Sequence, residues 1–237
     1  MKAIFRREWN AYFQSPLSYL YMGFFLLCFG LCFYLINITN SEGGVSGAFS
    51  VMVFAQIFLI PVLTMWLMSA ERASKTEQLL LAAPVSTWQI VGGKFLSAIS
   101  LVAFTLVTTA FHVVVLAMNG AVIWQELLLC YFGFLLLSAA YTAIGMFISS
   151  LLESPAVSAI VSIGVFVLMF ALELMVNSGA FSGAPLFYGV MQWLSLVQNY
   201  NDFLRGVLNA APILQYSSVT FIFLFLTVRV MEKRRWN

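Results

Sequence analysis

Six apolar runs, each about as long as a bilayer is thick, constrain this chain more than anything else in it. They are Leu17 to Ile36, Val51 to Ala70, Phe95 to Met118, Leu127 to Ser150, Ala156 to Val176 and Ile213 to Met231. A hydrocarbon core about 30 Å thick takes about 20 helical residues at 1.5 Å each. The runs are too long for barrel strands and lack their period of two. The expected fold is therefore all-α: an integral membrane protein whose residues 1–237 form a single domain of six transmembrane helices. With 62% hydrophobic and only 8% charged residues, the chain is far from the quarter charged of a soluble domain. The first run is too long for a signal-peptide core and lacks a small-residue cleavage site, so no processing is expected.

Basic residues orient such a chain, because short cytoplasmic loops accumulate them. Of the 11 Lys and Arg residues, only Arg205 falls on the other side from Lys2, Arg6, Arg7, Arg72, Lys75, Lys94, Arg229, Lys233, Arg234 and Arg235. Both termini are expected in the cytoplasm, with Asn37 to Ser50 and Asn177 to Pro212 outside. Topology accounts for the basic residues, so no nucleic-acid partner is implied. Cys28, Cys32 and Cys130 lie inside apolar runs without metal-type spacing and read as small hydrophobes.

The longest polar interruption on the basic side is ERASKTEQLLLAAPVSTWQIVGGK, Glu71 to Lys94. Ser74 with Glu77 and Ser86 with Gln89 both fit the capping box, which predicts two short helices. Pro84 ends the first of them. Leu79, Leu80 and Leu81 beside Trp88 and Ile90 make an apolar ridge that so small a loop cannot bury. Two readings fit: a loop that docks on a partner, or an amphipathic loop resting on lipid headgroups.

The N-terminal stretch, residues 1–16, places Phe5, Trp9, Tyr12 and Phe13 opposite Lys2, Arg6, Arg7, Asn10 and Gln14. This is the pattern of an interfacial helix, and Ser15 and Pro16 cap a fresh helix after an elbow. The outer loop Asn37 to Ser50 is polar and glycine-rich. In the second run Gln56 and Thr64 flank Pro61, which frees the Ile57 carbonyl and predicts a kink toward other helices; the kink is either purely structural or part of a path. His112, the one histidine, lies about 9 Å below the outer end of the third run. It is either a functional intramembrane group or a neutral imidazole bonded to a neighbouring helix. Ser138, Ala139, Thr142 and Ala143 stand four apart in pairs, which lets helices approach closely. Glu153, Ser154 and Pro155 form a short inner turn. Glu173 lies near an outer end and is expected to reach the interface by snorkelling, without a buried partner. In Asn177 to Pro212 the residues Phe187, Val190, Leu194, Val197, Phe203 and Val207 approximate one helical stripe, expected as an outer amphipathic or partly re-entrant element.

Together the elbow FRREWNAYFQSPLSYL, the loop ERASKTEQLLLAAPVSTWQIVGGKF, the outer NDFLRGV and the terminal LFLTVRVMEKRRW make the whole chain resemble the ABC-2 class of ABC transporter permeases. Within that class it is most similar to the gliding-motility-type subfamily. The resemblance implies a half-transporter in the bacterial inner membrane, with an export direction. It implies a second permease, identical or related, and an ABC ATPase subunit whose cleft receives the loop. Glu71, Glu77, Leu79, Leu80, Pro84 and Trp88 are then the coupling residues. ATP and Mg belong to that ATPase and no cofactor to this chain. The pore would run between two six-helix halves, with Gln56, Thr64 and His112 as candidates for its lining. No Walker A loop is present: Gly93 and Lys94 are preceded by Trp88 where the first glycine belongs and followed by Phe95. A secondary transporter or channel without an ATPase is the alternative, although acids near the midplane are missing. An intramembrane enzyme lacks its constellation, since no H-E-x-x-H or nucleophile–base set occurs.

Overall fold

A computed structural model of the chain describes residues 1–38, 45–76, 85–119, 123–178, 189, 193 and 195–235. All regular structure among these residues is helical. Helix α1 spans Lys2–Gln14, α2 Pro16–Phe33 with a π-helical continuation Tyr34–Ile38, α3 Ser46–Thr64 and α4 Ser69–Ala73. Then come α5 Thr87–Thr108, α6 Ala110–Asn119, α7 Trp124–Leu151 and α8 Pro155–Asn177. A 3₁₀ turn Gln198–Tyr200, the short α9 Asn201–Leu204 and α10 Ala210–Arg235 complete the chain.

Six helical segments are long and apolar enough to cross a membrane: Pro16–Asn37, Ser46–Ala73, Thr87–Met118, Trp124–Leu151, Pro155–Val176 and Ala210–Arg235. Each coincides with one of the six apolar runs, because length at 1.5 Å per residue leaves little else for such runs to do. The second and fourth spans are the centre of the bundle: in an 18-residue apolar stretch of each, 61% is buried, against 22–33% in the other four. Their contact is aromatic toward one end, where Phe49 meets Phe134 at 5.4 Å and Phe29 of the first span at 5.3 Å, edge to face. Toward the other end it is small and polar.

Three local expectations change. The second span starts at Ser46, five residues before the apolar run, and Val45, Ala48 and Phe49 are core residues. Glycine and serine content hid a helix whose inward positions are apolar. In the segment Asn177 to Pro212, Phe187, Val190 and Leu194 lie outside the described residues, and the described part includes a 3₁₀ turn and one α turn that bends at Gly206, where φ is +69°. Phe203 is buried but Val207 is exposed, so the single stripe does not persist through it.

Glu173 is the third change. It is 5% exposed, and its carboxylate accepts the backbone N–H of Val197 at 3.3 Å. It is a buried acceptor for the segment before the last span and does not snorkel.

Candidate functional site

The basic ends of the spans converge on a cluster that starts with α1. This helix bends into α2 at Ser15, whose hydroxyl accepts the Leu17 N–H at 3.3 Å. Its aromatic face packs on the third span, with Trp9 and Phe13 set edge-on to Phe104 at 6.4 and 5.7 Å. Close approach depends on Gly93, where an added Cβ would lie 3.0 Å from Ile4 Cγ2.

On the same helix, Arg7 and Glu8 join Glu71 and Lys94 in one ionic cluster. Lys94 is 2% exposed and lies 3.0 Å from Glu71 and 3.4 Å from Glu8. Arg7 donates to Glu71 at 2.7 Å and also to Glu8. Two acids and two bases cancel, which is what allows an ammonium to be buried. Burial alone would lower the Arg7 pKa, but the neighbouring Glu8 and Glu71 carboxylates hold it above its ordinary value.

Lys94 also donates to the Leu67 carbonyl at 2.8 Å, and this links the cluster to a break in the second span. The α-helix runs through Pro61 and stops at Thr64; Met65 to Met68 form turns before α4 resumes. Ser149 of the fourth span repairs the gap. Its hydroxyl accepts from the Met68 and Ser69 N–H groups at 3.3 and 3.1 Å and donates to the Met65 carbonyl at 3.1 Å. Backbone polar groups at membrane depth need such partners, since lipid offers none. Sequence reasoning placed the irregularity at Pro61, yet the helical pattern survives there and fails one turn later.

Around this core, Arg72 bonds Glu153 and the Leu151 carbonyl, both at 2.9 Å, tying α4 to the turn before the fifth span. Arg234 donates to the Ser150 carbonyl, and Arg235 reaches the Val85 carbonyl at 3.4 Å.

Of the expected coupling residues, Glu71 is inside the cluster. Glu77, Leu79, Leu80 and Pro84 lie outside the described residues. Ser86 and Gln89 form the full capping box that starts α5. The box expected between Ser74 and Glu77 lies outside the described residues at its Glu77 end; Ser74 itself ends α4, and its hydroxyl donates to the Ala70 carbonyl at 2.9 Å. Trp88 stays half exposed, stacked on Phe221 and tilted against Phe225 of the last span, at 6.2 Å each.

Gln56, Thr64 and His112 are not brought together. Gln56 is 1% exposed and donates to Ser138 Oγ at 2.7 Å. Thr64 is buried against Gly145, where a Cβ would meet Thr64 Oγ1 at 2.4 Å, and its hydroxyl bonds the Ile60 carbonyl at 3.0 Å. Both line the small, polar half of the seam between second and fourth spans. His112 sits apart, between the Phe29 and Phe33 rings at 5.2 and 5.1 Å, with Nδ1 3.3 Å from the Thr109 carbonyl.

Arg7, Glu8, Lys94 and Ser149 are the members of the cluster that the sequence does not mark as site residues. Their signal is weak: Arg7 shares a polar helix face with several other residues, Glu8 lies off that face, Lys94 reads as one of the orienting basic residues, and Ser149 is one of many small residues in its span.

Six apolar helices around a polar seam, with paired charges at one end, define a multi-pass α-helical membrane protein. Residues 3–230 match the model of the ABC-2 family transporter proteins. The chain belongs to that family and is a membrane permease subunit, which implies an ABC ATPase as its partner. No curated protein matches the chain.

Proposed function

We propose that this permease is an exporter half in the bacterial inner membrane, of the gliding-motility type, with both termini cytoplasmic. It forms the translocation path with a second copy or a related permease. A separate ATPase holding ATP and Mg drives it through the loop 71–94. The observation that carries this reading is the position of Glu71. The residue that opens the loop is bonded to Arg7 of α1 and Lys94 of the third span. A displacement of the loop therefore reaches two further helices through charge-assisted bonds, without the loop entering the bundle.

In this mechanism nucleotide closes two ATPase subunits and the loops carry that movement inward. Leu79, Leu80, Pro84 and the free face of Trp88 supply the apolar contact, and Glu77 a polar one. The break after Thr64 is the joint at which the loop end of the second span moves relative to the rest. Gln56 and Thr64, both bonded within the seam, serve helix contact in this state, and a path function for them requires the seam to open.

Copurification tests the reading. A chain carrying Leu80→Asp should lose the ATPase that the wild-type chain retains in mild detergent, because burying such an apolar contact is worth roughly 1.5 to 3 kcal/mol. Undiminished copurification and transport would reject the loop as the docking element.

A further inference from the structure

A half-open cavity of about 210 Å³ lies between α1, the start of α2 and the break in the second span, lined by Glu8, Tyr12, Ser15, Ser18, Trp66 and Leu67 among others. A single water needs only about 10 to 15 Å³ of such volume, so the cavity is sized for a larger group. Ser18 is 1% exposed, and among the described residues its hydroxyl has no hydrogen-bond partner. A buried hydroxyl left without an acceptor costs free energy unless something else fills the place. The Glu8 carboxylate and the half-exposed Trp66 indole stand in the same lining.

Those groups ask for a ligand with two kinds of chemistry. The Ser18 hydroxyl calls for an oxygen acceptor such as a phosphate or ester oxygen. Glu8 and the indole favour an ammonium, the first by charge and the second by its π face. Since Arg7, Glu8, Glu71 and Lys94 already sum to zero, the cavity offers no net charge to a purely anionic group. Leu17, also in the lining, begins a stripe with Leu20, Phe24, Leu27 and Leu31. The last four are 52–61% exposed, and the spacing places all five on one face of the first span.

We infer that this cavity binds the headgroup of a zwitterionic aminophospholipid, with an acyl chain lying along the Leu17 to Leu31 stripe. The lipid then fills the corner between the elbow and the broken second span, touching the ionic cluster only at Glu8.

Native mass spectrometry of the full-length chain, washed free of lipid in mild detergent, tests the assignment with three probes: phosphatidylethanolamine, phosphatidylglycerol and soluble glycerophosphoethanolamine. One phosphatidylethanolamine should be retained per chain and should raise the melting temperature. Ser18→Ala should weaken retention about fivefold, the worth of one hydrogen bond. Ala11→Phe, which fills the cavity from an exposed position, should abolish retention while leaving the lipid-free melting temperature unchanged, and it decides the matter if Ser18→Ala fails to fold. Equal retention of phosphatidylglycerol would overturn the headgroup assignment. Equal binding of the soluble headgroup would overturn the acyl track, and undiminished retention by Ala11→Phe would overturn the site.

Discussion

The Lys94 ammonium donates to the Leu67 carbonyl oxygen 2.8 Å away, so a side chain at the start of the third span satisfies an acceptor at the break in the second. The same nitrogen pairs with Glu71 and Glu8, and it is 2% exposed. Charge compensation and backbone repair therefore depend on one residue.

Lys94→Met should remove both. It leaves two carboxylates short of a cation and one carbonyl without its donor, and breaking a buried pair in this way costs about 3 to 5 kcal/mol. The expected result is a melting temperature well below wild type in detergent. Glu71→Gln, which keeps an acceptor in place, should lose less.

Gly145 and Thr64 give a test of the seam. Gly145→Ala puts a Cβ into Thr64 Oγ1 and should destabilise by about 1 to 3 kcal/mol. Adding Thr64→Ala removes the hydroxyl and methyl that the new Cβ meets, so the double variant should recover much of the loss. Strict additivity in that double-mutant cycle would mean that the two residues do not touch.

Gln56 distinguishes helix contact from path. In a background without Cys28, Cys32 and Cys130, Gln56→Cys should resist a water-soluble thiol reagent without nucleotide, because the position is 1% exposed. Reaction that appears only when the ATPase binds nucleotide would show the seam opening. Rapid reaction in every state would place residue 56 in permanent contact with water.

Topology is tested by thiol labelling of intact cells. Gly44→Cys should label from outside and Leu80→Cys should not; the reverse pattern would invert the proposed orientation and remove the loop from the ATPase side.

The spans were legible in the sequence because apolar length is a local property. The capping box at Ser86 and Gln89 was legible for the same reason, since both partners lie within one turn of chain. The break after Thr64 was not. No glycine or proline occurs at Met65 to Met68, and what permits the irregular backbone is Ser149, about 80 residues away, together with Lys94. Proline drew attention to position 61, where the helix holds.

The burial of Glu173 is illegible in the sequence on similar grounds. A carboxylate near a span end can snorkel, and only the fold reveals the Val197 amide that holds it inside. At the site, Glu71 and Trp88 belong to the loop and are legible as part of it. Arg7 is hidden because a polar helix face does not disclose which of its charges meets another segment, and Glu8 because it lies off that face altogether.

The cluster also sets an order of assembly. Arg7 is synthesised 64 residues ahead of Glu71, and Lys94 follows later still. When the elbow leaves the ribosome, its partners do not yet exist, and it has only its own amphipathic character to hold it near the bilayer. Its docking must wait until the second span has inserted and the third has begun to emerge. The paired charges thus act as a latch that closes late in biogenesis, and a chain whose second span is misplaced leaves Arg7 and Glu8 without Glu71 and Lys94 to close it.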